Sequence, residues 1–185
     1  MRSILTVAAF SLATLASAGD LAAAATREFS ANLVQIREVV GTDTRGRAEF
    51  RLNADASALR YSLTAENIVA FTQAHIHLAP EALMEETLTS RFREPSSKDE
   101  HGPIVVFLTD FKRNGISVDG VLAEGVITKS DLVGPLRGAP LGLLAEFMAR
   151  EEAYVALHVL QQMGLGNVFC CPVGLRGDIQ IKGAP

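Results

Sequence analysis

Apolar and polar residues alternate along much of this chain in short runs, and that period of two confines those runs to half-buried β-strands. Phe29, Ala31 and Leu33 share one face, with Glu28, Ser30 and Asn32 on the other. Ala48, Phe50 and Leu52 alternate with Arg47, Glu49 and Arg51, and Leu59, Tyr61 and Leu63 with Arg60, Ser62 and Thr64. Turn formers separate these runs, first across Gly41 to Gly46 and then across Asn53 to Ser57. Residues 73–78, 103–109, 116–127, 153–159 and 174–181 continue the strand pattern. The run Ile104 to Leu108 is wholly apolar and reads as a strand buried on both faces.

The period changes in two places. Leu141, Leu144, Ala145 and Met148 form one helical stripe within Leu141 to Glu152. Pro80 is suited to the first turn of a helix, and Ala82, Leu83, Leu88 and Phe92 supply an apolar side. Segment 79–101 also carries Glu81, Glu85, Glu86, Arg91, Arg93, Glu94, Lys98, Asp99 and Glu100, too many charges for buried strands, and reads as an insertion on the fold. The predicted architecture is mainly β: an antiparallel β-sandwich of the Greek-key, superoxide-dismutase/immunoglobulin-like kind, with one or two short helices.

The amino terminus reads as an export signal. Arg2 gives a short positive region, Ile4 to Leu15 an apolar run, and Ala16-Ser17-Ala18 a small-x-small cleavage site, so cleavage is expected after Ala18. The apolar run is shorter than the roughly 20 residues that span a bilayer, and no other segment reads as a transmembrane one. A net charge of −4 without a basic block argues against a nucleic-acid partner. The expected product is a secreted or periplasmic protein. In an oxidising compartment the adjacent Cys170 and Cys171 have two readings: a strained vicinal disulfide, or two thiols at a turn before Pro172.

Separated motifs carry a family resemblance. Gln73-Ala74-His75-Ile76-His77-Leu78, then Gly102-Pro103-Ile104-Val105-Val106-Phe107-Leu108, resemble the central signature of the CHRD (chordin-type) domain. Ala153-Tyr154-Val155-Ala156-Leu157-His158 resembles that family's Tyr-Val-x-x-His strand, and Pro172 to Ile179, with Gly174, Arg176 and Gly177, its closing strand. The resemblance runs over residues 27–183 in the family's order. The connection from Leu78 to His101 is longer than usual, and the cysteine pair stands where the family has a short turn. The resemblance implies a secreted β-sandwich module without an agreed catalytic set, and the first reading of function is a binding or structural module that works through a protein or surface ligand.

His75 and His77 lie two apart on a strand, so both rings point to one face, as in the His-x-His strand of copper/zinc superoxide dismutase. If the strand of His158 borders theirs, three nitrogens converge in a set that suits Cu or Zn. The alternative is that these rings hydrogen-bond backbone and tie strand to loop. His101, the remaining histidine, sits in a polar loop, and the set is short of what dismutase chemistry uses. Arg176 has two readings as well: a fork for an anion, or a partner for Asp178 on the same strand face. No Ser-His-Asp set, phosphate loop or dinucleotide turn stands at usable spacing, so no nucleophile is nominated.

Overall fold

The computed structural model describes residues 26–36, 43–80, 101–163 and 167–183, with the side chains of 161–163 and 167–170 left outside that description. The export signal at 1–18, the helix expected after Pro80 and the charged stretch 81–100 fall outside the described residues. Among the described residues, eight strands and one α-helix follow one another as β1 (Arg27–Gln35), β2 (Arg45–Leu52), β3 (Leu59–Leu78), β4 (Ile104–Phe107), β5 (Ile116–Ile127), α1 (Leu141–Ala149), β6 (Ala153–Met163), β7 (Asn167–Asp178) and β8 (Gln180–Ile181). All strand pairings are antiparallel. Among the described residues, no helix is long and apolar enough to cross a membrane.

The alternating segments form strands as expected, but their arrangement differs from a Greek-key sandwich. β1 pairs with β2, β2 with β3, β3 with β6, β6 with β7, and β7 returns to β1 at Val34 and Gln35. This circuit is a closed five-stranded barrel; β4 and β5 add to β3, and β8 adds to β1. Alternation specifies an inside and an outside, and a barrel satisfies that as well as two stacked sheets do. The choice falls to β3. The sequence suggests two strands there, at 59–64 and 73–78, whereas the chain runs as one strand of twenty residues. Its first part pairs with β2 and its last part with β6. Asn67 (φ 56°) and Ala70 (φ 55°) take left-handed conformations between the two parts, where the register against β5 slips. Such bulges bend a strand and raise its twist without ending its pairing.

One core fills the barrel. Phe29, Leu33, Phe50, Leu52, Leu59, Leu63, Ile76, Val155, Leu157 and Leu175 are all buried in it. α1 covers the side near β6 and β8, and its stripe Leu141, Leu144, Ala145 and Met148 is buried as predicted, together with Phe147. Two short 3-10 turns, Lys129–Asp131 and Gly134–Leu136, link β5 to α1; Val133 N–H donates to Val105 O (2.9 Å) and fixes this connection to β4. Outward-facing charges pair across strands, as with Arg51 and Glu28 (3.2 Å) and Lys182 and Glu49 (3.4 Å). Exposed pairs of this kind contribute about 0–1 kcal/mol each, so the apolar interior carries the stability.

Closure depends on a close approach at the end of β7. Ile36 N–H donates to Gly174 O (2.9 Å), and a Cβ on Gly177 would overlap Asn32 O of β1. Gly177→Ala is therefore expected to destabilise the protein by about 1–3 kcal/mol through forced backbone displacement. Ile76→Ala should cost about 2–5 kcal/mol as a large-to-small core change. Urea unfolding of the two variants checks both values, and a neutral Gly177→Ala would mean that β1 and β7 do not meet as described.

Candidate metal centre

The far part of β3 lies between β4 and β6, and its second face is as buried as its first. Pairing sets the arrangement: His77 faces Tyr154, His75 faces Ala156, and Gln73 faces His158. Residues 154, 156 and 158 share one face of β6, so the small Ala156 leaves room in which the imidazoles meet. Ring centroids lie 5.6 Å apart for His75 and His77, 4.9 Å for His75 and His158, and 5.9 Å for His77 and His158. The three residues are 1%, 3% and 9% exposed. One potential ligand nitrogen from each lies within 4.8 Å of the others. The structure thus brings together the three histidines singled out by spacing.

Hydrogen bonding fixes the state of two rings. His77 Nδ1–H donates to Gly102 O (2.7 Å) and His158 Nδ1–H donates to Cys171 O (2.6 Å). A carbonyl only accepts, so the proton of each neutral ring is on Nδ1 and Nε2 presents a bare lone pair. These two Nε2 atoms, and both nitrogens of His75, are buried without a hydrogen-bond partner. His77 therefore ties strand to loop, as the structural reading requires, and His158 bonds the backbone of the neighbouring strand β7. His75 does neither, and each unmet buried polar group costs about 1–3 kcal/mol.

Burial holds the cluster neutral. It lowers His75 to about 3, with the charges of His158 and His77 adding to the effect. It lowers His77 to about 4, against the opposing pull of the Gly102 carbonyl. His158 is lowered for the same reason, again opposed by its carbonyl partner. Neutral imidazoles with Nδ1 held by backbone oxygen are in the form that ligates metals. Nitrogens on one Cu or Zn ion at roughly 2.0–2.1 Å lie at most about 4.2 Å apart, so small turns of the rings close the set. The donor set therefore fits such an ion.

The chain belongs to the CHRD domain family. The family model, described as CHRD domain, matches residues 29–165, which run from β1 through β6 and include all three histidines. Neither a curated protein nor a solved structure matches the chain. The CHRD match stops before β7, yet β7 supplies a wall of the site: Val173 faces His158, and Arg176 faces Ala156. The Arg176 guanidinium lies 3.8 Å from the centroid of the Tyr154 ring and reaches Asp178 at 3.2 Å. Tyr154 stacks in turn on His77, with ring centroids 5.1 Å apart and planes at 10°. Arg176 thus has an aromatic face and an acid as its partners, the second of the two roles open to it.

Several contributors to the centre are not among the residues the sequence singled out for it. Phe107 of β4 meets His75 edge-on at 4.9 Å, Ala156 acts by being small, and Gly102 and Cys171 act through carbonyls that every residue has. Cys171 is disulfide-bonded, and the side chain of Cys170 is outside the described residues. His101, in the polar loop, directly precedes Gly102, whose carbonyl accepts from His77 Nδ1–H, so its backbone lies beside the cluster.

Two outcomes follow for the metal-free protein. Above pH 6.5 these histidines are neutral in folded and unfolded chains alike and add no pH dependence. Below it the unfolded chain takes up protons that the folded chain refuses, so stability falls until the lowered pKa values near 4 and 3 are passed. The slope should reach about 1.4 kcal/mol per pH unit for each histidine. Urea midpoints at pH 7.5, 6 and 5 measure it, and constant midpoints would contradict a buried neutral cluster. His75→Leu should be neutral or stabilising without metal, because it removes two unmet polar atoms. A loss above about 2 kcal/mol in the same assay would assign His75 a structural hydrogen bond.

Proposed function

We propose that this CHRD-domain protein is an exported binding module whose buried histidines, His75, His77 and His158, hold one first-row transition metal ion, Cu or Zn. The observation that carries this reading is the set of bare nitrogens: three rings converge, and four of their nitrogens have no other partner. A structural cluster gains nothing from leaving them unmet, whereas one ion satisfies a nitrogen of each ring. The ligands are all neutral imidazole, which suits Zn and Cu and disfavours Mg or Ca. Bound Cu supplies one-electron redox chemistry and bound Zn Lewis acidity; this chain holds and shields the ion on a rigid sheet.

Export fits the short apolar leader and the disulfide at Cys171, which we assign to a vicinal link with Cys170. A protein or surface ligand has its own support in the exposed apolar side chains Phe107, Phe111, Ile116 and Val121 on and beside β4 and β5. Exposed apolar side chains gathered on one region of a surface mark contact sites.

The test is metal content. The mature protein, exposed to Zn²⁺ or Cu²⁺ and then desalted, should retain one ion per chain by elemental analysis. His77→Ala should lose at least about tenfold in affinity, and Ala156→Leu should exclude the ion by filling the space between the rings. A well-folded wild-type protein that retains no metal, with no change in unfolding temperature on adding it, would overturn the proposal.

A further inference from the structure

Three histidine ligands leave a tetrahedral or square-planar ion one ligand short. The chain has a fourth histidine, His101, beside a backbone segment docked on the rim of the cluster. Three hydrogen bonds make that dock. Gly102 O accepts from His77 Nδ1–H (2.7 Å), and Gly102 N–H donates to the Tyr154 hydroxyl (3.1 Å). Pro103 O accepts from Leu78 N–H (3.1 Å). A Cβ at position 102 would overlap Leu78 O, so only glycine lets the backbone approach β3 this closely. One residue upstream, the His101 Cα is therefore fixed against a residue that itself touches the cluster. His101 is half-buried beside this dock.

We propose that His101 is the fourth ligand of this centre, swinging in from the loop to complete a set of four imidazoles around a divalent cation, Cu²⁺ foremost. The proposal rests on the metal reading above. One ligand nitrogen from each of the three strand histidines already lies within 4.8 Å of the others, and to join them His101 turns about its own side-chain bonds, with Gly102 as the fixed pivot. Four nitrogen donors suit the tetragonal preference of Cu²⁺ better than the softer or harder ions. The loop ligand is also the one able to exchange for water or an incoming small ligand, since the other three are set in sheet.

The experiment loads the full mature protein with Cu²⁺ and reads the nitrogen splitting in its electron paramagnetic resonance spectrum. Wild-type protein should show four coordinated nitrogens, and His101→Ala should show three, with at least about tenfold weaker Cu²⁺ binding in a competition titration. Added free imidazole should restore the four-nitrogen spectrum to His101→Ala. His101→Gln serves as a second variant that keeps a polar side chain in the loop, and it should lose the fourth nitrogen in the same way. If wild type binds Cu²⁺ but both variants keep its spectrum and affinity, the fourth-ligand proposal is wrong and the three-histidine centre stands. If folded wild type binds no Cu²⁺ or Zn²⁺, the centre itself is wrong and this inference falls with it.

Discussion

The bend in β3 is the constraint on which the barrel and the histidine cluster both depend. A strand that stopped near Ala65 would pair with β2 but never reach β6, and the barrel would stay open on that side. Instead Asn67 and Ala70 take up left-handed backbone, the strand turns, and pairing resumes at Phe71 on β6. For Asn this conformation is tolerable; for Ala it costs about 1–2 kcal/mol. Burial of Ile68 and Phe71 within the bend offsets that cost, since a fully buried large apolar side chain contributes about 1.5–3 kcal/mol. The same bend delivers the last residues of β3 to a position between β4 and β6, where both faces of the sheet are covered.

Double burial turns an ordinary strand end into a site. His75 and His77 alternate with Ile76 and Leu78, so a barrel core on one face obliges the histidines onto the other. Water is largely excluded there, which suppresses the charged form of each ring and leaves lone pairs exposed to one another. The stack of His77, Tyr154 and Arg176 then adds a cation near the cluster without adding an anion. Its charge opposes protonation of His77 and keeps that ring in its ligating form. The Asp178 carboxylate partners the guanidinium from the outer side, so Arg176 is held over Tyr154 rather than directed at the histidines.

Much of this was legible residue by residue. The strand faces of β1 and β2, the apolar stripe of α1 and the shared face of His75 and His77 all follow from period and spacing, while the convergence of His158 on them waited on the pairing of β3 with β6. What escaped were features with no local signature. Ala156 matters only because it lies opposite His75. Gly102 matters through its carbonyl and through the absence of a side chain against Leu78. His101 is the loop residue its polar neighbours suggest, and the Gly102 dock is what sets that loop beside His77.

The sequence by itself determined which residues turn inward and which outward, because side-chain alternation and hydrophobic burial act over a few residues at a time. It also determined that His75 and His77 share a face and that the chain carries the CHRD pattern. Only the tertiary structure decided that the sheet closes into a barrel, that both sides of β3 are dry at the histidines, and that β7, which lies beyond the family's matched residues, walls the site. Those outcomes depend on contacts between residues far apart in the chain. Their free energy comes from area buried jointly by several strands, a quantity that no single segment encodes.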